Sequence, residues 1–373
     1  MSVITVLILI FSALGALDWL IGDKFGLGRE FERAFLLFMP MAFSMLGVLV
    51  VAPALGVWMM PMFEWFYAVF HIDPSIIPAS LFANDMGGMT LAQTVCQNKQ
   101  IGDFNAFVVS SMMGCMISFT LPFSLGMVKK EQHKDMFFGM LCGIVTVPVG
   151  CFVAGLICGI GVFDLLLTLL PLIILAVLLT VAMLFCYGVC MNVFAALGQV
   201  IRWGSVVGLL CAIFTFLTKI PISEHFDTFE NAAFICVNAC VTLSGILPLM
   251  YLVSKLLNKP LVAFGEKLGI NGFSALSLIG CLVTNATVFG GMDRMDKKGV
   301  VLNAAFAVSA AFMLGGHLAL TMVFDSSYVL PMVVGKLTSG VCAVLLALLL
   351  YKKQESACDD AACRSGESLK ANS

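Results

Sequence analysis

Two short polar segments interrupt the apolar sequence of this chain: residues 84–89 read NDMGGM, and residues 285–292 read NATVFGGM. Each lies within a stretch that is otherwise apolar, and each precedes a stretch that contains Asn-Ala. Hydrophobic segments that are interrupted at corresponding places in two halves of a chain indicate the substrate site of a transporter. The pair therefore predicts a polytopic membrane protein that carries a small solute.

The composition excludes an ordinary soluble domain. Of the 373 residues, 61% are hydrophobic and 11% are charged, whereas soluble proteins carry about 25% charged residues. The net charge of −2 gives no reason to expect a nucleic-acid partner. None of the 14 cysteines forms a Cys-x-x-Cys pair, so we expect neither a metal site nor a cofactor. The lipid bilayer is the expected surrounding of residues 1–351, a single transmembrane domain, and residues 352–373 form a polar tail that we expect to be disordered and cytoplasmic.

The apolar stretches predict an all-α fold with about nine full spans and two hairpins. A bilayer core of about 30 Å needs about 20 apolar residues per helix. The stretches that meet or nearly meet this length are 1–20, 34–60, 104–128, 136–160, 163–188, 204–220, 232–257, 299–323 and 329–351. Residues 76–96 and 273–292 hold the two motifs and are less apolar, which is typical of re-entrant or discontinuous hairpins.

The basic residues predict the orientation, because cytoplasmic loops are enriched in Lys and Arg. They cluster in residues 21–33, 129–135, 255–268, 294–298 and 352–353. All five clusters fall on one face if both motif segments enter and leave on the same side, with the N-terminus outside and the C-terminus in the cytoplasm. The flanking spans then run in opposite directions. This predicts an inverted repeat, with repeat one at about 1–160, repeat two at about 204–351 and a linking span at 163–188. The sequence leaves the oligomeric state open, and a homo-oligomer is one of the alternatives.

Three ionisable residues inside apolar stretches are candidates for function. Asp85 is the only acid deep within such a stretch, and its carboxylate can bind a small ammonium group or a coupling Na⁺ or H⁺; the alternative is a structural ion pair or a hairpin cap. Lys336 can pair with Asp85, face a cavity or extend its head to the interface. His317 can take part in proton coupling, or be a neutral residue bonded to a backbone carbonyl.

The remaining candidates supply backbone freedom and neutral hydrogen-bonding groups. Glycine permits close approach and positive φ, which suits a broken helix whose carbonyls meet a cation; tight helix packing by small residues is the alternative. The sequence contains no motif typical of a hydrolase or of a phosphate-binding enzyme, so we expect a protein that is not an enzyme. The predicted substrate-binding residues are Asn84, Asp85, Gly87, Gly88, Asn285, Thr287, Gly290 and Gly291, and the residues predicted for gating or coupling are His317 and Lys336.

Four segments make the chain similar to a known family. Residues 81–91, 111–114, 143–150 and 303–312 closely resemble the ethanolamine utilisation permeases of the EutH family. The resemblance implies uptake of ethanolamine, a small protonated amino alcohol, across the bacterial inner membrane for its breakdown. A passive channel for small amines, a transporter of another small cation or amino acid, and a non-transporting sensor or scaffold are the alternatives. The chain departs from the family at Gly316, where an acid is expected, and at Gly291, where Met is usual.

Overall fold

The computed structural model describes the backbone of residues 3–370 and the side chains of residues 5–352, except those of Pro40, Ser44, Tyr187, Met191 and Phe194. All regular secondary structure in this part of the chain is helical. The α-helices are α1 (Val3–Leu20), α2 (Leu27–Leu36), α3 (Phe38–Met41), α4 (Gly47–Trp58), α5 (Met60–Phe70), α6 (Ile76–Leu81), α7 (Gly88–Val95), α8 (Lys99–Phe104), α9 (Leu121–Met127), α10 (His133–Ile157), α11 (Val162–Phe185), α12 (Tyr187–Thr218), α13 (Phe229–Leu268), α14 (Gly272–Val283), α15 (Ala286–Phe289), α16 (Lys297–Ala310), α17 (Gly316–Phe324) and α18 (Val329–Lys370). The π-helical segments are Ala42–Leu46, Asn105–Gly114 and Met116–Thr120, and the 3₁₀ turns are Asn84–Met86, Lys130–Gln132, Met292–Arg294 and Ser326–Tyr328.

Six helices of the described residues are long and apolar enough to cross a membrane, which agrees with a polytopic membrane protein. They are Lys99–Met127, Lys130–Ile157, Val162–Phe185, Gly188–Thr218, Phe229–Leu268 and Ser326–Lys352, and α4 with α5 forms a further candidate that is bent by 57°. These helices cover six of the nine stretches that the sequence predicts as spans.

The other three predicted spans are shorter or broken in the structure. Residues 1–20 form the 18-residue α1. The stretch 34–60 is divided among α2, α3, a π-helical segment and α4, and the stretch 299–323 is interrupted between α16 and α17. The count of nine full spans therefore stays a prediction. So does the disordered tail: the backbone of α18 continues to Lys370, and the side chains of residues 353–373 lie outside the described ones.

Burial separates a central helix from peripheral ones. In the helix Lys99–Met127, which we call the central helix, 83% of the apolar window is buried inside the protein. The corresponding shares are 28% for α11 and 17% for α12, whose apolar side chains face outward. The site described below lies around the central helix, while α11 and α12 have the exposed apolar faces that lipid contact requires.

The first hairpin segment comprises residues 73–98, and its two ends are in contact. The Asp73 carboxylate accepts hydrogen bonds from the backbone N–H groups of Gln97 (2.9 Å) and Asn98 (2.8 Å). Asn98 in turn caps α8 with its side chain. The segment therefore runs inward as α6, breaks, and returns as α7 to its starting point.

Residues 271–296, the second hairpin segment, close in the same way. The Asp296 carboxylate accepts a hydrogen bond from the backbone N–H of Asn271 (2.9 Å), and the Asn271 side chain donates to the carbonyl of Arg294 (2.9 Å). Asp296 also caps α16. In both segments an Asp–Asn pair 25 residues apart joins the two ends, with the acid at the first end of one segment and at the last end of the other.

Helix α10 places the two hairpin segments at opposite ends of the molecule. The side chain of Gln100, beside the base of the first segment, donates to the carbonyl of Cys158, just after α10 ends. The side chain of Gln132, just before α10 begins, donates to the carbonyl of Met292 at the base of the second segment. The 25 residues of α10 span about 37 Å at 1.5 Å per residue. The two segments therefore enter the protein from opposite ends.

Candidate functional site

Both hairpin segments break inside the protein, next to an asparagine that is fully buried. In the first segment, α6 ends at Leu81; the backbone of Phe82 is extended, and Asn84 lies two residues further on. In the second, α14 ends at Val283; the backbone of Thr284 is extended, and Asn285 follows. A helix that ends inside a membrane protein exposes backbone groups that need partners. The groups that bind these helix ends show where the two breaks lie in the molecule.

The first break is held by the central helix. The backbone N–H of Ala83 donates to the Ser118 hydroxyl (2.9 Å), which donates to the carbonyl of Gly114 (2.8 Å). A side chain at Gly114 would collide with the carbonyl of Phe82, so this glycine permits the close approach. Gly87 adopts a φ of 88°, which is the left-handed conformation that glycine adopts readily.

The second break is held two residues further along the same helix. The Asn285 side-chain amide donates to the Thr120 hydroxyl (2.8 Å). Because the segments enter from opposite ends and both breaks bind the central helix at neighbouring positions, their interruptions meet in the middle of the molecule.

A third break lies between α16 and α17, at residues 311–315, and the sequence analysis missed it. The backbone N–H of Phe312 donates to the carbonyl of Cys281 (3.2 Å), and that of Leu314 donates to the carbonyl of Leu282 (2.7 Å). These bonds satisfy the last carbonyls of α14, which have no intrahelical partner. Phe312 itself has a φ of 59°, which is uncommon for a residue other than glycine. The third break therefore packs directly onto the second.

A cavity of about 300 Å³ lies where the breaks meet. Asp85 borders it from the first hairpin segment, Thr284 from the second, and Gly316 from α17. The carboxylate of Asp85 lies deep in the molecule and is partly accessible from the cavity. Among the described residues it has no ion-pair partner within 4 Å. The cavity thus presents one unpaired carboxylate.

Three phenylalanines form an aromatic wall beside that carboxylate. The ring of Phe119 stacks on Phe123, with centroids 5.2 Å apart, and meets the edge of Phe312 at 5.6 Å. All three side chains border the cavity. The face of an aromatic ring attracts a cation, most strongly where water is excluded. A carboxylate with an aromatic wall is an arrangement that binds a small ammonium group.

The cavity continues along one helical stripe towards the basic residues of segment 21–33. Arg33, Leu37, Met41 and Met45 recur every four residues and all border it. Arg33 is ion-paired with Glu30 at 3.3 Å. The cavity therefore joins Asp85 to a face of the protein that carries several basic residues.

A larger cavity of about 750 Å³ lies on the other side of Phe119 and Phe123, against α12. Among the described residues, Arg202 is the charged one that borders it, and no carboxylate does. Arg33 likewise borders the smaller cavity, but there Asp85 supplies an anionic partner for an ammonium group, so the smaller cavity is the better site for a cation.

The predicted site residues divide into two groups. Asn84 is buried and accepts a hydrogen bond from the backbone N–H of Asp85 (3.0 Å), and Gly88 closes the turn by donating from its backbone N–H to Ala83 (2.9 Å). With Asp85, Gly87 and Asn285, they surround the breaks. Of these five, Asp85 is the one that borders the cavity. The other three lie away from the breaks: the Thr287 hydroxyl donates to the carbonyl of Thr284 (2.8 Å), and Gly290 and Gly291 lie beyond α15 with negative φ.

Lys336 and His317 contact each other. The Lys336 ammonium is fully buried and donates to the carbonyl of Ser111 (2.5 Å) and to Nδ1 of His317 (3.1 Å). Its head therefore does not reach the interface, and it makes no direct ion pair with Asp85. The turn that carries Asp85 packs against α17, the helix of His317. His317 has a lysine partner where the sequence analysis considered a backbone carbonyl.

Comparisons with known proteins agree with the resemblance of the sequence. The EutH family, described as ethanolamine utilisation protein, matches residues 1–350. A probable ethanolamine permease EutH of Listeria monocytogenes is 34% identical over 352 residues, 94% of either chain. One of Salmonella typhimurium is 30% identical over 361 residues, 89% of this chain and 87% of the relative. The uncharacterised protein YxeR of Bacillus subtilis is 30% identical over 92% of either chain, and no solved structure matches.

Proposed function

The chain belongs to the EutH family of ethanolamine utilisation proteins, and on this premise we propose that it is a permease that carries ethanolamine across a bacterial inner membrane. The observation that carries the proposal is the unpaired Asp85 carboxylate beside Phe119, Phe123 and Phe312 in a central cavity. Protonated ethanolamine is a small cation with one hydroxyl group. In this proposal its ammonium group binds Asp85 and the aromatic wall, and its hydroxyl group binds Thr284, which also borders the cavity.

The two hairpin segments are re-entrant in this proposal, and they belong to an inverted repeat. Three observations support it: each segment returns to its own beginning, the two bases lie at opposite ends of α10, and both breaks bind the central helix. A side-chain pair adds to them. Asn105 donates to the Ser75 hydroxyl (2.8 Å), and Asn303 donates to the carbonyl of Ser274 (2.9 Å), at matching places in the two halves.

Alternating access follows from this arrangement, because transporters with inverted repeats move one bundle against the other around a central site. The cavity runs from Asp85 towards Arg33, and the segment 21–33 belongs to the basic face that we assign to the cytoplasm. In this orientation the cavity opens towards the cytoplasm, so the conformation in the structure is the one that releases substrate inward.

A fusion at the C-terminus tests the orientation. With the N-terminus outside and the C-terminus inside, a fluorescent protein fused after residue 373 must fluoresce, since it folds in the cytoplasm. A dark fusion of a correctly inserted protein would contradict this orientation.

Transport by purified protein in liposomes tests the proposed function. We expect uptake of labelled ethanolamine to saturate, and to be accelerated when the liposomes are preloaded with unlabelled ethanolamine. The medium is kept acidic, where the freely diffusing neutral base is scarce. Flux without saturation or acceleration indicates a channel, and no flux above protein-free liposomes indicates a sensor or scaffold; either result contradicts a permease.

A further inference from the structure

Lys336 is a cation that the fold encloses completely. It lies in α18, its side chain has no exposed surface, and its ammonium group donates to the carbonyl of Ser111 and to Nδ1 of His317. A buried ammonium group is retained only where hydrogen-bond acceptors replace its hydration shell. Here one acceptor is a backbone carbonyl and the other is a titratable ring.

The carbonyl that Lys336 binds belongs to an irregular helix. Ser111 lies in the π-helical segment Asn105–Gly114 of the central helix, and π-helical turns are frequent at functional sites. His317 follows the break at residues 311–315, and its ring packs against Phe312 (5.1 Å between centroids). In transporters, backbone carbonyls at such irregular helices coordinate the coupling cation. In this protein a lysine ammonium binds the carbonyl in its place.

One carboxylate is near enough to balance the charge of Lys336. The turn Asn84–Met86, which carries Asp85, packs against α17, the helix of His317. The other titratable groups that interact with the ammonium group are Cys115 of the central helix, Cys151 of α10, Cys281 of α14 and His317 itself. The thiols and a neutral His317 carry no charge, so Asp85 is the anion. Asp85 is also the residue to which we assign the substrate ammonium group. The Lys336 ammonium group and the ammonium group of the bound substrate thus share a single counter-charge, the Asp85 carboxylate.

His317 offers an exit for the proton of Lys336. Because its Nδ1 accepts from the ammonium group, its Nε2 carries the ring hydrogen, and this buried atom has no partner among the described residues. Gly316 and Phe312, which flank the ring, border the cavity. A proton can pass from Nζ to Nδ1 while Nε2 releases its own hydrogen to a water molecule from the cavity. Lys336 is then neutral, and it accepts a hydrogen bond from Nδ1–H.

We propose that Lys336 is a built-in exchangeable cation, whose proton leaves through His317 when the substrate ammonium group binds Asp85 and returns when the substrate departs. This rests on the proposed function. One positive charge enters the site and one leaves it, so the exchange is electroneutral, its net result is movement of the uncharged amine, and it needs no Na⁺.

Calorimetry on the purified full-length protein counts the proton directly. Ethanolamine is titrated at about pH 6.5, where the free amine is fully protonated, in two buffers that differ in ionisation enthalpy. We expect about one proton to be released for each ethanolamine bound, and affinity to rise about tenfold per pH unit. Binding without proton release by the wild-type protein would overturn the inference. Absence of saturable binding would instead overturn the proposed function.

Two variants assign the proton to Lys336. Lys336→Met should bind ethanolamine with no proton release, because the exchangeable cation is gone. Lys336→Arg keeps a charge that does not dissociate, so it should bind more weakly, also without release. Proton release that persists in either variant would overturn the assignment. Uptake into liposomes should be equal with Na⁺ and with a large organic cation in its place, and a strict requirement for Na⁺ would also overturn it.

Discussion

Ser118 and Thr120 lie two residues apart on the central helix, and each holds the break of a different hairpin segment. Ser118 accepts from the backbone N–H of Ala83 (2.9 Å), and Thr120 accepts from the side-chain amide of Asn285 (2.8 Å). Ser118 is 3% exposed and Thr120 is fully buried, so both bonds lie inside the protein. These two bonds fix the positions of both breaks relative to the cavity.

Ser118→Ala should lower the stability of the protein clearly. The substitution leaves the buried N–H of Ala83 without a partner, which costs about 1–3 kcal/mol, and Thr120→Val should act similarly on Asn285. Thr180→Val is the matched control, because the Thr180 hydroxyl donates only to the carbonyl of Ala176 within its own helix. Thermal unfolding in detergent measures the difference. Equal loss in all three variants would show that the hydroxyls do not hold the breaks.

Asp85→Asn should abolish most of the saturable uptake. The amide cannot neutralise an ammonium group, and hydrogen bonds to charged groups contribute about 1.5–3 kcal/mol, so we expect the half-saturation concentration to rise about 10- to 100-fold. Asp293→Asn is the control, because Asp293 is a surface acid that is paired with Lys129 at 3.1 Å, and its loss should leave uptake unchanged. Uptake by Asp85→Asn that equals the control would remove Asp85 from the substrate site.

The sequence points to the ionisable residues of the candidate site but not to the aromatic side chains that border its cavity. Asp85, Lys336 and His317 were predictable, because ionisable residues in apolar stretches are costly and seldom lack a role. The bond between Lys336 and His317 was not predictable, since the two lie in different helices and nothing in the spacing relates them. Phe119, Phe123 and Phe312 were missed for a different reason. A phenylalanine in a span looks the same in sequence whether it faces lipid, core or cavity.

For the fold as well, the sequence predicts the interruptions that polar residues mark but not those within apolar stretches. The two hairpin interruptions were visible as Gly and polar residues, and both occur in the structure. The break at 311–315 was missed although Gly315 and Gly316 mark it, because the surrounding residues are apolar enough for one continuous span. The π-helical segments left no signal, since a change in helical hydrogen bonding does not alter the apolar content of the stretch.

Phe119→Leu should weaken the binding of ethanolamine through loss of the aromatic face. Leucine retains apolar bulk, so the expected loss is that of a cation–π contact, about 0.5–2 kcal/mol, or about 2- to 30-fold in half-saturation. Phe107→Leu is the control, because Phe107 lies on the same helix but stacks on Tyr328 at 4.9 Å outside the cavity. The measurement is concentration-dependent uptake by both variants. The same half-saturation in both would exclude an aromatic contribution to binding.

Exchange of the Asp–Asn pair at the base of the second hairpin segment tests whether the two segments are related units. The first segment has its acid at the beginning, Asp73, and the second has its acid at the end, Asp296. Asn271→Asp alone places two carboxylates side by side, and Asp296→Asn alone removes the carboxylate that holds Asn271. The double variant restores one acid and one amide, in the order found in the first segment.

We therefore expect the double variant to be more stable than the sum of the single changes predicts, by about 0.5–3 kcal/mol, as for residues in direct contact. The same Asn271→Asp change combined with Asp164→Asn is the control. Asp164 lies next to the base of the first segment, at the other end of α10, so those effects should add within about 0.5 kcal/mol. Thermal unfolding of the wild-type protein, the single variants and both double variants gives the two coupling energies. Additivity in the Asn271–Asp296 pair would mean that the bond between them does not hold the base of the segment, and would remove the Asp–Asn closures as support for a repeat.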